Sequence, residues 1–259
     1  MFEYNYHTHT ARCGHAIGTD EEYVKQAIQA GFKVLGFSDH APYRNIPRPF
    51  ARMKWDDLED YLNSIHELKV RYKDQIEIHI GLETEFYPAF LHEKQELRGK
   101  VEYLLLGQHF NDPVETVSYF GHNTDEQILE YAETIAKGLD TGLYTYLCHP
   151  DVFMSKQPSF TEACRKASHI ICAKCEETNT PLELNVRGIL KGKQNYAEGQ
   201  MYGYPNRLFW EIAAQYDVKV VPGIDAHAPK DLMDNASKEK ALKEVEDLHL
   251  SFIEEPFIK

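Results

Sequence analysis

Residues 5–15 read NYHTHTARCGH, and the reading of this stretch decides the fold. His7 and His9 stand at i and i+2 where the apolar run Phe2–Tyr6 marks a strand. A strand's period of two turns both rings to one face. Two imidazoles of one orientation can share a metal ion. Left as packing they would be costly, since each unsatisfied buried polar group costs roughly 1–3 kcal/mol. His15 follows in the loop beyond and can reach the same end of the strand.

Working outward, further β-like runs lie at Val34–Phe37, Ile76–Ile80, Tyr103–Leu106, Tyr144–Leu147, Leu182–Leu184 and Val218–Val221. Helical patterns separate them, over Asp20–Ala30, Trp55–Tyr72, Asp125–Lys137, Thr161–Glu177, Asn206–Gln215 and Ser237–Leu248. The first opens behind Thr19, an N-cap residue, with acids in its first turn, and closes at Gly31. The second carries Leu58, Tyr61, Leu62, Ile65 and Leu68 at helical spacing. Strand alternating with helix predicts a parallel α/β sheet, and about seven such units predict a closed barrel. A doubly wound open sheet is the alternative. With no linker, repeat or low-complexity tract, residues 1–259 are read as a single domain.

Of the 13 histidines, His66, His79, His92, His122, His169 and His249 lack paired partners and read as solvated or hydrogen-bonded side chains. The others fall at or just beyond strand ends. His40 lies in GFSDHAPY with Asp39 beside it, His109 in LLLGQHF, and His149 in YLCHPD. VVPGIDAHAP gives Asp225 and His227 two residues apart, and HIGLETEFYP places Glu83 just past Gly81. In a parallel barrel such ends open onto one rim, where sites assemble. These nine side chains are too many for one divalent ion, which takes about four to six ligands. They fit two or three ions if a carboxylate such as Glu83 bridges. Many imidazoles beside few cysteines favour Zn, Mn or Fe. Cys172 and Cys175 lie in a helical flank with no second Cys/His pair at zinc-finger spacing, so reduced thiols are expected.

Composition narrows the classes of partner. Hydrophobic residues make up 42% and aromatics 12%, enough for a full core. No run of about 18 apolar residues suggests a membrane span. The N-terminal residues lack the basic flank and apolar stretch of a signal peptide, which predicts a cytoplasmic location. The formal net charge of −13 argues against a nucleic-acid backbone as partner. A small phosphorylated substrate remains compatible, because bound cations reverse the local sign of an acidic pocket.

Taken together, His7-x-His9, His15, Ser38-Asp39-His40, Gly81-x-Glu83, His109, His149-Pro150 and Asp225-Ala226-His227 resemble the polymerase-and-histidinol-phosphatase (PHP) family of metal-dependent phosphoesterases. The motifs run in family order from residue 7 to residue 227. The resemblance implies a distorted, TIM-like seven-stranded β/α barrel with a two- or three-metal site at its C-terminal rim. SDHAPY, the Trp55–Tyr72 segment, GLETEFYP, GQHF and ELNVRGILKG are similar to the histidinol-phosphate phosphatase branch. By that resemblance His7, His9, Glu83 and Asp225 hold one ion, His15, His40 and His227 a second, and Glu83, His109 and His149 a third. The implied substrate is histidinol phosphate, in histidine biosynthesis.

For the reaction, a hydroxide bridging two ions is expected to attack phosphorus directly, with no phospho-enzyme. Asp225 or a rim histidine such as His227 is expected to serve the leaving alkoxide. Arg187, after the sixth strand, is the leading phosphate donor, because a guanidinium fork grips phosphate in two places. Arg207 is second, and Arg12 and Arg44 are weaker. Asp39 is expected to orient a ligand imidazole. Glu85, Phe86 and Tyr43 are expected contacts for the ammonium and imidazole of the substrate. Three departures stand out: Val186-Arg187 where small or hydroxyl residues are usual, Leu190 near the place of an arginine, and Ile224 where serine is common. The alternatives are a PHP phosphoesterase of another small phosphomonoester, an amidohydrolase-type barrel with a bridging lysine, and a metal-binding protein without turnover.

Overall fold

Apolar runs bounded by turns become strands in the computed structural model, which describes residues 2–46 and 51–258. They are β1 (Tyr4–Asn5), β2 (Val34–Phe37), β3 (Glu77–Thr84), β4 (Tyr103–Leu106), β5 (Tyr146–Leu147), β6 (Leu182–Asn185), β7 (Lys193–Tyr196), β8 (Gly199–Tyr202), β9 (Lys219–Gly223) and β10 (Ser251–Phe252). The helices are α1 (Asp20–Gln29), α2 (Leu58–Arg71), α3 (Leu91–Arg98), α4 (Asp125–Leu139), α5 (Glu162–Thr178), α6 (Arg207–Ala213) and α7 (Asn235–Lys243). The capping signals act as read: Thr19 accepts from Glu22 N while the Glu22 carboxylate accepts from Thr19 N, a reciprocal pair that starts α1.

One parallel sheet runs β1-β2-β3-β4-β5-β6-β9-β10. β10 lies only against the first half of β9, with Ser251 opposite Lys219 and Phe252 opposite Val220. Beyond it the chain after β9 meets the chain after β1: Ala226 N donates to His7 O at 3.1 Å and His9 N donates to Ala226 O at 2.9 Å. The ring of β1 to β6 and β9 therefore closes at its C-terminal rim. At the base, β10 and the C-terminal segment wedge between β9 and β1. There the Tyr4 hydroxyl donates to Ile253 O, and the Tyr6 hydroxyl accepts from Phe257 N and Ile258 N.

Strand alternation sorts the side chains into two cores. Tyr4, Tyr6, Val34, Tyr103, Leu105, Tyr146 and Val221 fill the interior. Leu35, Phe37, Leu104, Leu106 and Leu147 face outward into the layer of helices. The Tyr103 hydroxyl reaches across the barrel to within 2.7 Å of Tyr6 O and 2.9 Å of Phe37 O. Its ring lies on Gly81, its register partner on β3, where a Cβ would sit 2.4 Å from a ring carbon.

β10 was not among the expected strands, and three further features depart from expectation. α3 was not foreseen, because LHEKQELR has too few apolar positions to show a period. The antiparallel hairpin β7–β8 is largely polar, with Tyr196, Met201 and Tyr202 buried, and gives no apolar run. α7 stops at Lys243, short of the expected Leu248. Among the described residues no helix is long and apolar enough to cross a membrane. All five cysteines are buried and unpaired.

Gly81→Ala should overpack the barrel against Tyr103 and cost about 1–3 kcal/mol, read as a lowered midpoint in thermal denaturation. An unchanged midpoint would show that the interior has room to spare.

Candidate metal centre

Each strand end delivers one part of the rim cluster. His7 and His9 flank Thr8, whose bridge to Ala226 closes the ring. His40 is bridged to Glu83 at the end of β3. His109 and His149 follow β4 and β5, Asp225 and His227 follow β9, and His15 comes over from the first loop. The side chains lie together: ring centroids of His9 and His227 are 4.0 Å apart, of His9 and His40 4.3 Å, and of His109 and His149 5.0 Å. All nine expected ligands converge, including Glu83 and Asp225.

The spacing has the scale of a coordination shell. Ligands about 2.0–2.2 Å from one ion stand roughly 3.0–3.5 Å from each other. His7 Nε2 lies 3.1 Å from His9 Nε2, and Asp225 Oδ1 lies 3.2 Å from His9 Nε2 and 3.7 Å from His7 Nε2. His15 Nε2 lies 2.8 Å from His227 Nε2. Glu83 faces two ways: Oε1 is 2.9 Å from His149 Nε2 and 3.2 Å from His109 Nε2, while Oε2 is 3.0 Å from His40 Nδ1 and 3.5 Å from His7 Nε2. His7 with His9 and Asp225, His9 with His40 and Glu83, and His15 with His40 and His227 each form a set that could hold an ion.

Buried polar atoms without partners test the fit. Glu83 Oε2, Asp225 Oδ1 and His149 Nδ1 have no hydrogen bond among the described residues. The first two lie within ionic reach of imidazoles but not in hydrogen-bond geometry. Burial pushes the Glu83 carboxyl up, yet His109, His40 and His7 outweigh it and hold it well below the usual range. Asp225 is held down in the same way, against burial, by His7, His227 and His9. Burial also opposes the cationic form of His109, but Glu83 and Glu85 push its pKa up to about 10. His9 is lowered well below its usual value, by burial and then by His227. Protons thus stand where the carboxylates call for positive charge, and the donor set suits divalent first-row cations.

A second layer fixes the rings. Glu183 on β6 accepts from His7 Nδ1 at 2.7 Å and from His149 N at 2.9 Å. Asp39 Oδ1 lies 3.4 Å from His9 Nδ1, and Glu85 Oε1 lies 3.0 Å from His109 Nδ1. Gly107 makes room for Glu83: a Cβ there would lie 2.0 Å from Oε1. Asp225 and His149 adopt positive φ of 56° and 28°. Such backbone costs of order 1–3 kcal/mol for a non-glycine residue and gathers at functional sites.

Above the cluster lies a cavity of about 320 Å³. Arg187 reaches it, with Nη1 3.3 Å from Asp225 O and 3.6 Å from Asp231 Oδ2. Lys191 belongs to the same 3-10 turn, Arg187–Lys191, and holds its Nζ 4.7 Å from the Phe120 ring and 4.9 Å from the Tyr204 ring.

Several expected contacts are corrected by the packing. Arg207 does not line the cavity: its guanidinium grips Asp247 and Glu211 and donates to Glu244 O at 3.0 Å. Arg12 is held by Asp20 and Asp60, and Arg44 by Glu96 and the Trp55 ring. Glu85 is 1% exposed, shared between His109 and Arg52, with the Tyr43 hydroxyl donating to it. Phe86 is core. Glu85 also lines the cavity, whereas Arg207, Arg12, Arg44, Tyr43 and Phe86 do not. Glu183 and Asn185 were missed. They alternate on β6 as His7 and His9 do at β1, so the same period-two reading would have found them. The side chain that faces both groups of imidazoles is the Glu83 carboxylate, whereas the amidohydrolase-type alternative expected a lysine there.

The sequence matches the PHP domain family over residues 5–258. A protein of Deinococcus radiodurans named "Probable histidinol-phosphatase" is 26% identical over 262 residues, covering 93% of this chain and 92% of that one. The "Histidinol-phosphatase" of Bacillus subtilis is 28% identical over 139 residues, 51% of this chain and 50% of that protein. The fold is shared with the histidinol phosphate phosphatase of Lactococcus lactis, solved with Zn, L-histidinol and phosphate: TM-score 0.75, 19% identity, 97% of this chain and 95% of that one. A family match from the first strand to the last residues makes this chain a member of the PHP domain family.

Proposed function

We propose that this protein is a metal-dependent phosphomonoesterase that hydrolyses L-histidinol phosphate to L-histidinol and phosphate. The observation that carries the reading is the convergence at one rim of His7, His9, His15, His40, His109, His149 and His227 around Glu83 and Asp225, each of which keeps one oxygen without a hydrogen bond. The names of the curated relatives support the substrate. His7, His9, Glu83 and Asp225 would hold one divalent ion, His15, His40 and His227 a second, and Glu83, His109 and His149 a third. Zinc, manganese and iron all suit imidazole and carboxylate.

When bound, such ions lower the pKa of water toward neutrality and neutralise phosphoryl oxygens. The rest falls to the chain. Glu183, Asp39 and Glu85 hold His7, His9 and His109 in the orientation and tautomer that turn Nε2 inward. Arg187 and Lys191, which line the cavity over the cluster, present cations to phosphate oxygens. Asp225 stays ionised, which suits it to bind a cation or accept a proton rather than supply one to the leaving alkoxide. Phe120, stacked on His109 at 5.7 Å, shields that side of the site from water.

The direct test is hydrolysis of histidinol phosphate against a panel of phosphomonoesters. The reading predicts a marked preference for histidinol phosphate; equal rates with an aryl phosphate would contradict the substrate while keeping the class. His9→Ala should lower both metal content by elemental analysis and turnover, and unchanged activity would contradict the site. Glu183→Gln keeps the shape and removes the charge behind His7, and should cost about 10–100-fold in metal affinity or activity. Zinc binding to metal-free protein at pH 7 should release at least one proton, because ligation needs a neutral His109 ring whose unligated pKa is about 10. Affinity should then weaken as pH falls. Calorimetry in buffers of different ionisation enthalpy reads this, and heats independent of buffer would contradict it.

A further inference from the structure

Breaking a phosphate ester of an alcohol leaves an alkoxide that needs a proton, and the expected metal ligands in the cavity lining are committed to the cluster. The other polar residues of that lining are Arg52, Glu85, Arg187, Lys191 and Tyr204. The two guanidinium groups do not give up a proton. Against burial, Arg52 and His109 hold the Glu85 carboxyl ionised, well below the usual range. Burial pushes the Tyr204 hydroxyl up, which makes it a poorer acid. Lys191 remains. Its Nζ lies 4.7 Å from the Phe120 ring and 4.9 Å from the Tyr204 ring, and those rings stand 6.1 Å and 6.3 Å from the ring of His149. The ammonium is therefore one layer of rings away from an expected metal ligand. Nearby cations are tied up, Arg187 by Asp231 and Lys193 by Glu244, but no carboxylate pairs with Lys191 among the described residues.

We propose that Lys191 is the general acid that protonates the leaving oxygen of the phosphate ester. The proposal rests on the phosphatase reading above. The attacking oxygen comes from the buried cluster, and in-line displacement puts the leaving oxygen on the far side of phosphorus, toward the mouth where Lys191 is exposed. As the attacking oxygen bonds to phosphorus, the bond to the ester oxygen breaks, and the electron pair left on that oxygen takes a proton from Nζ. The neutral amine regains a proton from solvent, so the sum is one water consumed, one alcohol released and phosphate left. An ammonium carries three N–H donors, so contact with a phosphate oxygen leaves others for the ester oxygen. Burial lowers the pKa of Lys191 from its usual value; Asp225 opposes this, and Arg187 and Lys156 add to it. The faces of Phe120 and Tyr204 favour the charged form, so the proton is present when needed. A lysine lowered toward neutrality is a better matched acid than a free one.

The experiment compares the metal-loaded full chain with Lys191→Met and Lys191→Arg on two esters. Histidinol phosphate releases an alcohol, which needs the proton, whereas p-nitrophenyl phosphate releases a phenolate that does not. Lys191→Met should lower kcat for histidinol phosphate by roughly 100-fold or more, and for p-nitrophenyl phosphate by less than about fivefold, since only the first uses an acid. Lys191→Arg keeps the charge but holds its proton, so it should not restore the rate on histidinol phosphate. The fall of wild-type kcat at alkaline pH should vanish in Lys191→Met, and metal content by elemental analysis should stay at the wild-type level in both variants. An equal loss on the two esters, or rescue by arginine, would mean that Lys191 acts through its charge alone and overturns the proposal. Lost metal content overturns it too, by placing Lys191 in the scaffold. Wild-type protein that leaves histidinol phosphate and other alkyl phosphates intact contradicts the phosphatase reading instead.

Discussion

Glu83 and Asp225 are buried carboxylates, and one oxygen of each has no hydrogen bond among the described residues. An ionised carboxylate taken out of water without a partner costs several kcal/mol. Here the burial is accepted at the one place where imidazole nitrogens crowd to within 3.0–3.7 Å of the same oxygens. Neutral imidazoles alone do not balance two anions, and against burial Glu183 raises the pKa of His7 and Glu83 that of His109. Divalent cations relieve this without leaving any ring charged. Much of the fold follows from that demand. The sheet closes through Thr8 and Ala226, between the ligands it must align, and Gly107 stays bare so that Glu83 can stand over it.

The site is layered by charge. Carboxylates and imidazoles make the floor, and behind them Glu183, Asp39 and Glu85 orient the rings. Arg187 and Lys191, from one 3-10 turn, line the same cavity, Arg187 with Nη1 3.3 Å from Asp225 O. An acidic chain can therefore offer a phosphate group a positive environment, because the anionic floor is the part that cations would cover. The left-handed backbone at His149 and Asp225 belongs to the same economy: local strain is tolerated where it aims a ligand.

The part of this arrangement that repeats along strands was legible in the sequence. His7 with His9, and Asp225 with His227, advertise themselves by a two-residue period at the end of an apolar run. Four further expected ligands, His40, Glu83, His109 and His149, came from looking at the other strand ends, and His15 from the loop after the first. Glu183 and Asn185 carry the same period but are not histidines, so a search led by imidazoles passed over them. Arg207 illustrates the opposite error. A cation near a helix start looks like a phosphate contact, but Asp247 lies far along the chain and only the fold brings it to that guanidinium. The β7–β8 hairpin and α3 were invisible for a simpler reason: segments with few apolar residues carry no hydrophobic period to read.

Anomalous diffraction from zinc-loaded crystals tests the central claim most directly. The account predicts ions about 2.0–2.2 Å from His7 Nε2, His9 Nε2 and Asp225, with Glu83 shared between neighbouring ions. Ions bound elsewhere, or at this rim with Glu83 and Asp225 left uncoordinated, would contradict it.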